Sequence, residues 1–161
     1  MANLIAQPLT ASDFAPFGQV LELGKNATGQ RQEFPAFMRN ARDDATLGLT
    51  STRKAPTALP LTVEWLERHP YSSQAFISVD LPSFLVLVCP AHEDGSPRVD
   101  ELQVFLGQRS HGICYAPNVW HHPFAVVGGD GEYVTMRYDN GSEEDTIWHR
   151  VEGGPVVTTA G

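Results

Sequence analysis

Proline and glycine interrupt this chain so often that it has little room for long helices. Its 161 residues include 12 prolines and 14 glycines, and both residue types break or weaken the interior of a helix. Between them, apolar and β-branched residues recur in runs of about five to eight, which is the usual length of a strand. The sequence therefore predicts a mainly β fold.

Eight segments carry this strand pattern, and turn-rich stretches such as EDGSP, GGDGE and DNGSEED separate or follow them. The predicted strands are residues 19–23, 47–53, 75–79, 84–89, 102–106, 111–116, 122–127 and 132–138. Closing many short antiparallel strands on themselves removes exposed edges and leaves a mouth for a small ligand. We therefore expect an antiparallel β-barrel rather than an open sheet.

A few short helices are also expected. Thr10 and Asp13 form a variant of the capping box near the N-terminus. Thr62 is a candidate N-cap for the segment TVEWLER, a predicted helix that would end just before Pro70. On a short surface helix of this kind, Glu67 would be solvated or paired locally and would contribute little.

The length and the net charge of the chain limit the number of domains and the classes of partner that we expect. Its length fits a single domain, residues 1–161, whose small polar tail at 153–161 is expected to fray. The formal net charge of −8 argues against nucleic acid or an anionic membrane as a partner, because both require a basic surface. We find no signal peptide pattern and no apolar run long enough to span a bilayer. Cys89 and Cys114 lie in apolar stretches, which favours buried reduced thiols. We expect a cytoplasmic protein that acts on a small molecule.

Two adjacent histidines stand in the segment NVWHHPF. A glycine that leads a strand, then Pro117, then a histidine that opens the next strand resembles the second cupin motif. Because side chains alternate across a strand, His121 and His122 must face opposite sides, and the spacing from Pro117 favours His121 inside. A buried histidine that only packs and forms hydrogen bonds remains an alternative.

A metal-binding cupin also carries an HxH pair and a glutamate, because a divalent ion needs three or four N or O ligands. The corresponding stretch here is QAFISVDLPSFLVLVC, in which only Gln74 and Asp80 offer polar ligand atoms. The sequence therefore disfavours a tightly bound metal.

Two longer blocks point to a specific family. The blocks LPLT-x-x-x-LERHP-x-x-x-QAF and NVWHHP occur in an order and spacing that resemble the ureidoglycolate lyase family. The resemblance runs from QPLTASDFAPFGQVLE near the N-terminus to about Asp139. It implies a cupin-like β-barrel, usually dimeric, that splits ureidoglycolate into glyoxylate and urea, a carbon–nitrogen lyase reaction of purine and allantoin degradation. No cofactor is expected to be required, although a divalent metal is left open.

The resemblance also implies a set of site residues at matching positions. They are Arg53, His69, Gln74, Asn118, Trp120, His121 and His122. The match is imperfect, since Ser78 stands where the family commonly has proline, and the strand that carries Arg137 and Asp139 does not align cleanly. Residues 147–161 have no counterpart in the family pattern.

The implied reaction suits several of these residue types. The substrate carbon bears a hydroxyl, a carboxylate and a urea nitrogen, so cleavage needs a base for the hydroxyl proton and an acid for the departing nitrogen. His121 or His69 suits the proton transfer, because an imidazole titrates near neutrality. Arg53 suits the carboxylate, because a guanidinium donates two parallel hydrogen bonds. Gln74 and Asn118 match the ureido group.

Three alternatives remain open at this point. His69 has a second interpretation as the C-cap of the predicted helix that precedes Pro70. An amidohydrolase that releases ammonia would use the same substrate but would have to activate water, most simply with a metal. A non-catalytic cupin-like module that binds a small acid would need no acid–base histidines. We also expect a homodimer, because the apolar run FLVLVC offers more flat hydrophobic surface than one small domain readily covers.

Overall fold

A computed structural model of the protein describes residues 2–35 and 38–160. Within these residues the chain forms one α-helix, α1 (Ala11–Phe14), and two 3₁₀ helices, Val99–Glu101 and Glu143–Asp145. The strands are β1 (Asn3–Ile5), β2 (Gln7–Pro8), β3 (Gly18–Glu22), β4 (Thr46–Lys54), β5 (Leu61–Thr62), β6 (Trp65–Arg68), β7 (Gln74–Ser78), β8 (Ser83–Cys89), β9 (Gln103–Gln108), β10 (His111–Tyr115), β11 (Trp120–His121), β12 (Ala125–Val127), β13 (Gly131–Asp139), β14 (Ile147–Arg150) and β15 (Val156–Thr158). The predicted mainly β fold class is confirmed.

The strands form three sheets. The large sheet has the order β14-β6-β11-β8-β9-β2, with β12 also paired to β8. The five-stranded sheet has the order β3-β10-β7-β13-β4, and the three-stranded sheet has the order β1-β15-β5. Among the described residues no ladder joins one sheet to another, so the sheets do not close into the barrel that we expected. Most pairs are antiparallel, and β1–β15 and β2–β9 are parallel.

The sheets stay open because they are stacked in layers around β8. Alternate side chains of this strand point to opposite faces of the large sheet. Phe84, Val86 and Val88 belong to a core shared with the five-stranded sheet. Leu85, Leu87 and Cys89 belong to a second core shared with the three-stranded sheet. All six side chains are at most 1% exposed, so the run FLVLVC is covered within one chain and is not the free surface that we predicted for a dimer.

One predicted helix is confirmed and the other is wrong. Thr10 caps α1, since its hydroxyl oxygen accepts a hydrogen bond from the Asp13 amide at 3.2 Å. The segment predicted as a helix after Thr62 forms β5 and β6 instead, because β6 pairs with β11 on one edge and β14 on the other. These ladders outweigh a local cap, and the strand puts Leu66 and Glu67 on opposite faces.

The C-terminal tail and the predicted strand at residues 122–127 also differ from what the sequence predicts. Val156–Thr158, in the tail predicted to fray, pairs with both β1 and β5, and Val157 is fully buried. The predicted strand 122–127 is shortened to β12, because Pro123 has no amide hydrogen to donate to a ladder. Among the described residues, no helix has the length and apolar character needed to cross a membrane.

The two cysteines are both buried and are not joined to each other by a disulfide, as the sequence predicts. Burial raises the pKa of the Cys89 thiol to about 12 and that of Cys114 to about 11. Neither side chain is therefore a thiolate at neutral pH, and neither is a candidate nucleophile.

Candidate functional site

The candidate site lies between the large sheet and the five-stranded sheet. In the large sheet, the strand register aligns four residues on the face toward the five-stranded sheet, because directly opposed residues share a face. From the edge strand inward they are Trp148, Glu67, His121 and Val88. The facing row of the five-stranded sheet consists of Gly48, Arg137, Gln74 and Tyr115. Arg137 and Trp148 line one cavity of about 450 Å³, so the two rows meet beside the edge strand β14.

Glu67, His69 and His121 form the buried centre of this site. The Nε2 atom of His121 lies 3.4 Å from Glu67 Oε1, and the Nε2 atom of His69 lies 4.0 Å from the same oxygen. The two imidazole rings are 5.2 Å apart between centroids. His121 is 1% exposed and His69 is 3% exposed, which means that protein groups rather than bulk water control their protons.

Hydrogen bonds determine which nitrogen of His121 faces other side chains of the site. Its Nδ1 lies 2.9 Å from the carbonyl oxygen of Val119, and because a carbonyl only accepts, Nδ1 carries the proton. Nε2 then faces Gln74 Oε1 at 3.1 Å as well as the carboxylate of Glu67. The Tyr115 ring stacks on the imidazole at 4.1 Å with an interplanar angle of 16° and fixes its plane. Nε2 is thus the nitrogen positioned to gain and lose a proton.

His69 is held as a neutral ring. Its Nδ1 donates to the carbonyl oxygen of Asp145 at 2.9 Å. Arg137 Nη1 lies 2.9 Å from Nδ1 and 3.2 Å from Nε2, and with the proton on Nδ1 only Nε2 can accept from it. Burial, and then the positive charges of His121 and Arg137, lower the pKa of His69 to about 4. At neutral pH this histidine therefore orients its neighbours and carries no charge.

Glu67 is the carboxylate of the cluster. Burial acts to raise its pKa, but the hydrogen bond with His121 and the charges of His121, His69 and Arg137 lower it overall. Glu67 is therefore ionised at neutral pH and stabilises a proton on His121. Glu67 is absent from the predicted site because the helix predicted for this segment would leave it on the surface. On a strand, the E-x-H spacing of Glu67 and His69 directs both residues to one side, and that spacing was the available signal.

Arg137 is the charged group of the site that faces open space. Its Nη1 lies 3.3 Å from Thr146 Oγ1 as well as near His69, and its Nε forms an ion pair with Asp139 at 2.7 Å. The side chain lines both the cavity beside Trp148 and a second cavity of about 150 Å³ that also contains Gln74 and Asp139. A guanidinium in this position can receive a carboxylate from solvent.

The structure brings together three of the seven residues that the family resemblance implied, namely His69, Gln74 and His121. It does not bring Arg53 to the cluster. Arg53 lies about 17 Å along β4 from Gly48, which pairs with Arg137, and it faces the opposite side of the sheet. Its guanidinium is half-exposed and contacts three carboxylates, those of Asp80, Asp130 and Glu132.

The three other implied residues lie around the cluster rather than in it. Asn118 has an exposed side chain and a left-handed backbone with φ of 69°. Its backbone amide donates a hydrogen bond to the backbone carbonyl of His69 at 2.8 Å. Trp120 is buried on the opposite face of the large sheet and donates to the Gly95 carbonyl at 2.9 Å. His122 is turned toward its own neighbour, with Nδ1 2.6 Å from the Pro123 carbonyl oxygen.

The central cluster also has the donor set of a metal site. One ligand atom from each of Glu67, His69 and His121 lies within 4.8 Å of the others. Both histidines have Nδ1 engaged with a backbone carbonyl, so Nε2 is the nitrogen of each that would bind a metal, in place of its present contacts with Gln74 and Arg137. Two imidazoles and one carboxylate suit zinc and related divalent ions. These donors lie outside residues 74–89, the stretch from which the sequence disfavours a metal.

The family model and the curated relatives that match this chain indicate one family. A family model described as ureidoglycolate lyase matches residues 1–153. The ureidoglycolate lyase of Chelativorans sp. (strain BNC1) is 34% identical over 154 residues, which cover 91% of this chain and 90% of that protein. The ureidoglycolate lyase of Azotobacter vinelandii (strain DJ / ATCC BAA-1303) is 33% identical over 145 residues, 84% and 85% of the two chains. A crystal structure of a dTDP sugar isomerase from Desulfovibrio desulfuricans G20 has a TM-score of 0.49 at 18% identity, with 84% and 82% of the two chains covered.

Proposed function

Because the chain belongs to the ureidoglycolate lyase family, we propose that it cleaves ureidoglycolate into glyoxylate and urea at the cluster of Glu67, His69 and His121. The observation that carries this proposal is the buried Nε2 of His121, which lies 3.4 Å from the ionised carboxylate of Glu67, while Arg137 contacts the neighbouring His69. A proton acceptor, its stabilising charge and a cation for the substrate carboxylate are the groups that the reaction needs.

The reaction moves one proton from oxygen to nitrogen. Nε2 of His121 takes the proton of the substrate hydroxyl while the carbon–oxygen bond becomes a carbonyl and the carbon–nitrogen bond breaks. The electron pair of that bond passes to the ureido nitrogen, which then receives the proton from His121. Glu67 stabilises the charged imidazole between these two transfers. Positioned proton transfer of this kind accelerates a reaction by about 10² to 10⁴.

Arg137, rather than Arg53, is the residue that we assign to the substrate carboxylate. Its support is the cavity of about 150 Å³ that Arg137 lines together with Gln74. The carboxylate bound there would place the neighbouring hydroxyl toward His121, and the amide of Gln74 would face the ureido group. Neutral His69 contacts the guanidinium, whose Nη1 is within 3.2 Å of both ring nitrogens, and takes no proton itself.

The same cluster fits a divalent ion, which Glu67, His69 and His121 would hold; this is an alternative to proton transfer by His121, because an Nε2 bound to a metal cannot also take a proton. Such an ion would supply Lewis acidity toward the substrate hydroxyl. Metal analysis of the purified protein, before and after dialysis against a chelator, tests this assignment, and activity that survives complete metal removal would reject a metal requirement.

Product analysis is the direct test of the proposed function. The purified protein should release urea and glyoxylate in equal amounts from ureidoglycolate, without ammonia. Ammonia without urea would instead support the amidohydrolase, and binding without turnover would support a cupin-like module that only binds a small acid. The buried pair of His121 and Glu67 favours the lyase, since a module of that kind needs no proton acceptor.

Assembly, location and pathway form a further part of the proposal. A homodimer is supported by β4, an edge strand that exposes Leu47 by 49% and Leu49 by 67%, because exposed apolar sheet is commonly covered by a second copy. Light scattering should give twice the chain mass for the natural protein and a lower mass for Leu49→Glu; a monomer mass for the natural protein would reject the dimer.

We also assign the protein to purine and allantoin degradation in the cytoplasm, which its buried thiols and the family's substrate support.

A further inference from the structure

The loop between β13 and β14, residues 140–146, supplies two of the groups that hold the site. The backbone carbonyl of Asp145 accepts the hydrogen bond from His69 Nδ1 at 2.9 Å. The hydroxyl oxygen of Thr146 lies 3.2 Å from His69 Nδ1 and 3.3 Å from Arg137 Nη1. The orientation of His69, and through it that of Arg137, therefore depends on where this loop is held.

The side chain of Asp145 determines the shape of the loop. Its carboxylate accepts hydrogen bonds from the amides of Asn140 at 3.2 Å and Gly141 at 2.8 Å. It also forms an ion pair with Arg42 in which both side chains are almost completely buried. Burial acts to raise the pKa of Asp145, but these hydrogen bonds and the charge of Arg42 lower it overall.

Arg42 connects this loop to the segment that carries His69. The guanidinium carbon of Arg42 lies 4.7 Å from the centre of the Tyr71 ring, two residues after His69. The backbone beside Arg42 is fastened to the same segment, since the Ala41 amide donates to the Tyr71 carbonyl at 2.8 Å. Arg42 thus contacts both segments whose separation sets the distance between His69 Nδ1 and its acceptor.

We propose that Arg42 and Asp145 are positioning residues that hold His69 in the tautomer with the proton on Nδ1, and thereby orient Arg137 toward the substrate. With the proton on Nδ1, only Nε2 can accept from Arg137 Nη1, at 3.2 Å; with the proton on Nε2, the acceptor would be Nδ1, at 2.9 Å, so the tautomer determines which side of the ring Arg137 binds. A buried ion pair is by itself weak support for stability, because desolvation offsets most of the attraction, and its place beside His69 gives it a role in the site. The effect on catalysis rests on the proposed function, whereas the effect on the tautomer does not.

The test uses Arg42→Met, which removes the charge but keeps much of the side-chain length, and Arg42→Lys, which restores the charge. Arg31→Met is the matched control, because Arg31 is a surface arginine whose side chain is 84% exposed. Nitrogen-15 NMR of the histidine rings should show a protonated Nδ1 for His69 in the natural protein and a mixture of tautomers in Arg42→Met. The kcat/KM for ureidoglycolate should fall by about tenfold to a hundredfold in Arg42→Met, recover in part in Arg42→Lys and stay unchanged in Arg31→Met.

The outcomes separate a positioning role from a purely structural one. If Arg42→Met unfolds at a lower temperature but keeps the natural nitrogen-15 pattern of His69 and the natural kcat/KM per folded molecule, the proposal is overturned. If Arg42→Met does not fold, Asp145→Asn replaces it, because asparagine keeps the backbone carbonyl and an acceptor oxygen while it removes the charge. Failure of the natural protein to cleave ureidoglycolate would reject the proposed function alone, since the tautomer measurement still decides the role of Arg42.

Discussion

His69 should make the stability of the metal-free protein depend on pH between about pH 4 and pH 6.5. In the fold its pKa is lowered to about 4 from an ordinary value of 6.5, chiefly by burial. As the pH falls below 6.5, the unfolded chain binds a proton at this residue while the folded protein does not. The free energy of unfolding should therefore decrease as the pH falls from about 6.5 to about 4, and the contribution is fully present only above that range.

The size of this effect follows from the two pKa values. Each pH unit below the unfolded pKa removes about 1.4 kcal/mol until the folded pKa is reached. Between pH 7 and pH 5 the loss due to His69 is therefore about 2 kcal/mol. Replacement by asparagine, which does not titrate, should abolish this part of the pH dependence, although His69→Asn is also expected to be less stable at pH 7 because it leaves the Asp145 carbonyl less well paired.

Urea denaturation of chelator-treated protein at pH 7, 6 and 5 measures the effect. The natural protein should lose about 2 kcal/mol more than His69→Asn over this range. Burial also lowers the pKa of His111 and His122, but both proteins retain these residues, so their contribution cancels in the comparison. His92→Asn, at an exposed position, is the control and should retain the natural pH dependence. Equal slopes in the natural protein and His69→Asn would refute the assignment of His69 as a buried neutral ring.

The remaining predictions concern pairs of residues that the structure separates. His121→Asn should lower kcat by about 10² or more because it removes the proton acceptor. His122→Asn should instead lower the free energy of unfolding by about 1 to 3 kcal/mol, with little change in kcat per folded molecule. Steady-state kinetics and urea denaturation measure both effects, and the reverse ranking would mean that His122 performs the proton transfer. Arg137→Lys should raise KM roughly tenfold to a hundredfold, the equivalent of about 1.5 to 3 kcal/mol for a charged hydrogen bond. Arg53→Lys should leave KM unchanged. A KM that changes only in the Arg53 variant would mean that Arg53 binds the substrate carboxylate.

Local sequence was sufficient for the parts of the fold that local rules control. Apolar runs of strand length predicted most long strands, and FLVLVC became β8 because a run without polar residues fits a strand that is buried on both faces. Thr10 predicted α1 because a capping hydroxyl acts within one turn of chain. The family blocks also identified His69, Gln74 and His121, which the structure brings into one cluster.

Contacts between distant segments decided the rest. Glu67 became part of the site only because pairing with β11 and β14 made its segment a strand, an outcome that the local cap at Thr62 could not indicate. Arg137 lies beside Gln74 because β13 pairs with β7. The register of β4 places Arg53 on the opposite face of the sheet. The chain alone thus determined which residue types were available for acid–base chemistry and for binding a carboxylate. Which of them meet was decided by strand register, since a shift of one residue reverses the face of every side chain.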